Sequence, residues 1–289
     1  MPGVNVCQIV TDRIIAELET GNIPWQKPWT GVRSGAYSRA TGRPYSLLNQ
    51  MLLGKPGEYL TYNQAREAGG HVKEGEHGHL VVFWKMRSIK RSNTDGSIED
   101  DIIPMLRYYH VFHIDQCEGI EPKWKPEDLK PIDPIAEAEA VLNGYSARSG
   151  CPIIHEKIDE AYYSGSRDEI HLPLREQFLS PEIYYSVAFH EATHSTGHKS
   201  RLDRLAGAVY GNGAYSKEEL VAEMGAAICM NELGLENRKT MQNNVAYIQS
   251  WLRELRNDSK MIVSAAGKAE KAVRMIMGIE QQTDVKDAA

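Results

Sequence analysis

No apolar run in the 289-residue sequence approaches the roughly 18 residues that a membrane-crossing helix needs. No basic segment followed by an apolar core stands at the N-terminus, so neither membrane insertion nor secretion is expected. Cysteine is sparse: Cys7, Cys117, Cys151 and Cys229 are scattered without a C-x-x-C pair. That usage fits thiols kept reduced in the cytoplasm. Internal repeats and long low-complexity tracts are missing too. With 42% hydrophobic and 25% charged residues the composition is that of an ordinary globular protein. The length leaves room for two domains, each with its own core.

A strong excess of either charge is also absent, but the formal net charge of −6 is unevenly spread. Through Lys130 the chain has 16 basic and 16 acidic residues; the remainder has 17 and 23. The first third is locally basic, with 12 basic against 7 acidic residues through Arg91. An acidic mimic of DNA is a poor fit to this distribution, because the negative charge is modest and lies away from the basic part.

What the sequence does contain is His190-Glu191-Ala192-Thr193-His194, an H-E-x-x-H run. On an α-helix, residues four apart lie on one face, so His190 and His194 can hold one metal between them with Glu191 beside it. Zinc lowers the pKa of its bound water to roughly 7, and a neighbouring carboxylate can take the proton as hydroxide attacks a carbonyl. The chemistry implied is peptide or amide hydrolysis, with Glu191 as catalytic base and Zn²⁺, or another divalent metal, as cofactor. The flanks predict a helix: Ser180 as N-cap, Pro181 at the first position, Glu182 at the positive end of the dipole and Gly197 at C′. The histidine nearest the position of a third histidine ligand, His198, comes two residues early, which argues for a loop residue at the rim.

A site of this kind needs a third protein ligand. Ser216 to Gly234 predicts another helix, carrying Glu219 and Glu223 one turn apart. Ser216-x-x-Glu219 is also a capping box, in which case Glu219 closes its own helix and Glu223 is left as the ligand. The run Glu219-Leu220-Val221-Ala222-Glu223 resembles the zincin metallopeptidase segment whose glutamate is the third ligand. That resemblance implies metal binding by His190, His194 and Glu219. Glu223 is then expected to accept the spare ring N–H of a ligating histidine.

The N-terminal part combines basic side chains with four of the five tryptophans. Unpaired bases stack on rings while Lys and Arg follow phosphates, so this composition suits single-stranded nucleic acid. The candidates are Trp25, Lys27, Trp29, Arg39, Arg43, Tyr45, Lys85, Arg87, Lys90 and Arg91. A helix is expected over 5–20, then an extended segment over 24–29 held by Pro24 and Pro28. Short helices and strands follow to Gly69. Strands over 80–85 and 106–114 flank a polar insertion, expected as a long mobile hairpin loop.

The segments Pro24-Trp25-Gln26-Lys27-Pro28-Trp29, Gly42-Arg43-Pro44-Tyr45, Tyr62-Asn63-Gln64-Ala65, Val81-Val82-Phe83-Trp84 and Tyr109-His110-Val111-Phe112 occur in the order seen in ArdC-type antirestriction proteins. Ile170-His171-Leu172-Pro173, the H-E-x-x-H run through His198 and Glu218-Glu219-Leu220-Val221-Ala222-Glu223 are similar to the same family. The resemblance implies an α+β chain of two domains, an N-terminal α+β domain binding single-stranded DNA and a C-terminal zincin-like metallopeptidase domain. It implies carriage by conjugative plasmids, protection of incoming DNA from host restriction, and an unknown protein substrate, a host restriction component being one candidate.

The domains are expected over 1–121 and 133–289, joined by a proline-rich linker over 122–132. A helix capped by Asp133 and ending at Gly144 should open the second. The strand over 169–172, just before the metal helix, is expected at the cleft with an edge to which a substrate peptide can add. Two helices over about 240–257 and 260–277 should buttress the domain, and a polar tail after Gly278 is expected to be disordered.

Overall fold

The computed structural model describes residues 5–26, 35–92, 98–123, 134–205, 213–235 and 244–279; at 87–92, 98–103, 134, 213–215, 244–248 and 250 it describes the backbone alone. Most of the expected linker, its Asp133 cap and the tail from residue 280 lie outside these residues.

Helix α1 spans Val6–Glu19, and the side chain of Asn5 accepts a hydrogen bond from the Gln8 backbone N–H to cap it. Its buried stripe is Val6, Val10, Thr11, Ile14 and Leu18. Pro24–Gln26 form a 3₁₀ turn rather than the expected extended segment. The turn fits because it puts the Trp25 ring, 0% exposed, edge-on against Trp251 with centroids 5.3 Å apart.

Strand β1 (Ala36–Ser38), helix α2 (Leu47–Leu53), strand β2 (Gly57–Leu60) and helix α3 (Tyr62–Glu67) follow. Next come β3 (His71–Val72), β4 (His79–Ser92), β5 (Ile98–His113) and β6 (Cys117–Glu118). One sheet has the order β1-β2-β5-β4, with β1 parallel to β2 and the other pairs antiparallel. The β4 edge is covered locally by a side chain. Asn49 donates to the Val82 carbonyl at 2.8 Å and accepts from the Val82 N–H at 2.7 Å, as a neighbouring strand would.

The expected hairpin loop is instead mostly ribbon. Strands β4 and β5 continue through the polar insertion in register, with Lys90 opposite Asp100 and Arg91 opposite Glu99. Opposite charges across a strand pair favour this register, so the insertion extends the hairpin.

Helix α4 (Pro134–Ser149) runs past Gly144 and stops before Gly150, whose φ of 71° ends it. Strands β7 (Ile153–Glu156), β8 (Tyr162–Ser164) and β9 (Glu169–Pro173) form a three-stranded sheet of order β7-β9-β8. Strand β9 is therefore central, with both edges occupied. The expected strand addition at residues 169–172 is blocked by β7 and β8.

Helices α5 (Pro181–Ser195), α6 (Gly213–Glu232), α7 (Asn244–Asn257) and α8 (Met261–Met277) complete the fold. A continuous buried core joins α1, Trp25 and α2 to α4–α8. Polar contacts cross the same seam: Thr11 Oγ1 donates to the Ser259 carbonyl at 2.8 Å, and Glu270 accepts from the Leu47 N–H, at the start of α2, at 3.0 Å.

Candidate metal centre

Helix α5 starts where the sequence predicts. The Ser180 side chain accepts from the Ile183 N–H at 3.4 Å, and Pro181 opens the helix. Tyr184, Tyr185, Ala188, Phe189 and Ala192 bury one side, leaving His190 and His194 one turn apart, rings edge to face, with their Nε2 atoms 3.1 Å apart. Gly197 follows the C-cap Thr196 but is not left-handed. Its lack of a side chain serves space: a Cβ there would lie 2.9 Å from Leu205 Cγ and 3.2 Å from an Arg204 guanidinium nitrogen.

Helix α6 lies against α5 through Gly225, where a Cβ would meet Thr193 Oγ1 at 2.5 Å. The absent side chain lets the two helices approach, and Glu219 arrives opposite the histidine pair. Glu219 Oε2 is 3.6 Å from His190 Nε2, and Oε1 is 3.3 Å from His194 Nε2. One donor atom from each of these three residues falls within a common 4.8 Å. Donors at about 2.0–2.2 Å from one tetrahedral ion would stand roughly 3.3–3.6 Å apart, so with the histidine nitrogens at 3.1 Å the set needs only small side-chain shifts to hold a divalent metal. Because α6 begins at Gly213, Ser216 lies inside the helix and cannot be its N-cap. The capping-box alternative for Glu219 therefore falls.

Each histidine turns its other ring nitrogen to a carboxylate. His190 Nδ1 is 3.7 Å from Glu223 Oε1, and His194 Nδ1 is 3.6 Å from Glu218 Oε1. The buried Glu218 is held in turn by Arg204, at 2.7 and 3.2 Å. Arg204 also donates to Thr196 Oγ1 and the Thr193 carbonyl, both at 2.8 Å, and so ties this carboxylate to the end of α5. Sequence reasoning gave no role to Glu218 or Arg204. The Glu218-Glu219 pair was visible, but a loop arginine without periodicity carries no signal.

Electrostatics reflect the clustering. Burial alone would lower the His194 pKa, but Glu218 and Glu219, with the nearby Glu191 charge, raise it to about 10. Burial opposes ionisation of Glu219, yet His190 and His194 hold it far below the usual carboxylate range. Glu218 is pushed up by burial, but His194 and Arg204 outweigh this and its pKa is lowered. Burial raises that of Glu223. Glu191 is 8% exposed and stands outside the three-residue donor cluster. His198 is turned elsewhere, with Nδ1 2.8 Å from Ser200 Oγ and 3.5 Å from Asp168 Oδ2.

The sequence candidates for DNA contact are dispersed. Trp25 has no exposed surface, so its ring is not free to stack on a base; this corrects its assignment. Arg39 pairs with the buried Glu58. Arg43 and Lys85 are exposed and Tyr45 is half-buried. Lys27 and Trp29, and the side chains of Arg87, Lys90 and Arg91, lie outside the described residues.

Two family models match the chain: the N-terminal domain of anti-restriction factor ArdC over residues 4–112, and a zincin-like metallopeptidase over residues 137–268. Two proteins called DNA primase TraC from Escherichia coli are 34% and 33% identical over 94% and 95% of this chain. The chain spans only 27% and 20% of their length. An uncharacterized protein, y4eC of Sinorhizobium fredii, is 31% identical, with 99% of this chain and 96% of that protein matched. Crystal structures of the antirestriction ArdC protein from plasmid R388 superpose in Mn(II)-bound and metal-free forms. Their TM-scores are 0.74 and 0.72, at 34% and 36% identity; they cover 95% and 94% of this chain and 98% and 97% of theirs. In sequence, in fold and in its two-domain α+β architecture, this chain belongs to the ArdC-type antirestriction proteins.

Proposed function

We propose that the chain is an antirestriction protein that binds single-stranded DNA through its N-terminal domain and hydrolyses a protein through a metal-dependent site in its C-terminal domain. The observation that carries the hydrolytic reading is the convergence of His190 Nε2, His194 Nε2 and the Glu219 carboxylate. These three would hold a divalent ion, zinc in this reading. When bound, such an ion supplies Lewis-acid polarisation of a carbonyl and an acidified water. Glu191 accepts the proton of the attacking water and returns it to the leaving amide nitrogen. Glu223 and Glu218, with carboxylate oxygens 3.7 and 3.6 Å from Nδ1 of His190 and His194, would favour a proton on each Nδ1 and so the tautomer that presents both Nε2 atoms to the ion. The Mn(II)-bound form of the R388 relative supports binding of a divalent metal by this chain.

In this reading the domains divide at 1–121 and 133–289. The protein acts in the cytoplasm during conjugation on an unidentified protein substrate, a host restriction component being one candidate. Among the described residues no helix is long and apolar enough to cross a membrane.

Elemental mass spectrometry on purified wild type, Glu191→Gln and Glu219→Ala tests the site. About one metal per chain is expected in the first two and loss in the third. A second reading makes the metal structural and the protein a DNA-protecting binder. The low exposure of the ligands, 13–19% for their side chains, favours it. Antirestriction that survives Glu191→Gln would establish this second reading over the first.

A further inference from the structure

The β4–β5 ribbon carries side chains that the metal site does not use. Its register places Val81 opposite Tyr109, Phe83 opposite Arg107 and Lys85 opposite Met105. Residues directly opposite in an antiparallel pair share a face, and alternate residues along each strand share it too. One face thus presents Tyr109, Phe83, Arg107 and Lys85 together. Tyr109 is hydrogen-bonded to Tyr45 and meets the Phe83 ring at an angle, centroids 5.6 Å apart. Phe83, Lys85, Met105 and Arg107, with Met86 and Tyr108, line a groove of about 440 Å³. Among the described residues neither Lys85 nor Arg107 forms an ion pair.

Aromatic rings beside cations that have no carboxylate partner among the described residues provide the two contacts an unpaired strand needs, stacking for its bases and neutralisation for its phosphates. A duplex keeps its base faces stacked inside and offers only edges, so the rings would go unused. We propose that this groove is the single-stranded-DNA site, with a base stacking at Phe83 and phosphates following Lys85 and Arg107. The assignment rests on the reading of the chain as a single-stranded-DNA binder. It moves the contact from the Trp25 segment, whose ring is buried, to the ribbon.

The test is fluorescence anisotropy of a labelled oligothymidine against the full chain, because α1 and Trp25 are built into a core shared with the C-terminal helices. Variants are Phe83→Leu, Lys85→Gln and Arg107→Gln, with Lys268→Gln as a control for net charge and Trp84→Ala for the opposite face. Circular dichroism confirms that each is folded. Phe83→Leu should weaken binding about tenfold, as loss of one stacked base does. Each groove glutamine should lower the slope of log affinity against log salt by about 0.7, and Lys268→Gln should leave it unchanged. If wild type binds but the groove variants bind equally well, or lose less than Trp84→Ala, the groove assignment is overturned while the DNA-binding reading stands. If wild type fails to bind the oligonucleotide at low salt, both fall.

Discussion

His194 Nδ1 lies 3.6 Å from Glu218 Oε1, and the same carboxylate oxygen is gripped by Arg204 at 2.7 Å. The imidazole is thus oriented by a carboxylate that is itself oriented by a guanidinium anchored to the end of α5. Removing either partner should loosen the ring without touching the ion. Glu218→Gln and Arg204→Met are each expected to weaken metal affinity about 10- to 100-fold, as measured by competition with a fluorescent chelator. Unchanged affinity in folded Arg204→Met protein would show that Glu218 needs no such anchor.

Acidity should act on the same group. With its pKa raised to about 10 in the metal-free fold, from an ordinary 6.5, His194 contributes stability that is fully present below about pH 6.5 and lost as pH rises through 10. Metal-free protein should therefore melt at lower temperature at pH 10 than at pH 7, and saturating metal should shrink that difference. Binding must displace the His194 proton, so metal affinity should rise about tenfold per pH unit between pH 7 and 9 for one proton released. Proton release in calorimetry, compared across buffers of different ionisation heat, checks the stoichiometry.

Much of this centre was legible in the sequence because its first contacts are local. Two histidines four apart share a helix face wherever the helix forms, and Ser180 with Pro181 marks its start. Glu219 was legible by resemblance, with Glu223 as rival. Only the position of Gly213, three residues before Ser216, removes the capping box. Arg204 was not legible, because a loop side chain reaches Glu218 through tertiary folding alone. The β4–β5 ribbon was misjudged for a related reason. A polar insertion resembles a loop until its basic and acidic halves are set opposite each other, and strand pairing is non-local.

The approach of α5 to α6 depends on Gly225. A Cβ there would stand 2.5 Å from Thr193 Oγ1 and 2.6 Å from Thr193 Cγ2, so Gly225→Ala must separate the helices that carry the histidines and Glu219. A cost of about 1–3 kcal/mol in unfolding free energy is expected, together with weaker metal binding. Thr193→Ala removes both clashing atoms, and adding it to Gly225→Ala should recover metal affinity even though it weakens the fold alone. A double-mutant cycle in chemical denaturation measures the coupling. Additive losses would place the constraint elsewhere.

Trp25 and Trp251 test whether the two domains are energetically one. Their rings meet at 5.3 Å inside a core that runs from α1 to α8. Trp25→Ala should cost about 3–5 kcal/mol, the range for emptying a buried aromatic site. It should do so for the whole chain, because the cavity opens between elements of both domains. Trp25→Phe keeps most of the ring and gives up only an indole Nε1 with no hydrogen-bond partner among the described residues, so its cost should be smaller. Scanning calorimetry of metal-free protein should show one transition, shifted as a unit by Trp25→Ala. Two transitions, of which only the N-terminal one moves, would mean that the shared core does not couple them. Trp25→Phe should also bind oligothymidine as wild type does, since a ring with no exposed surface has no face to offer a base.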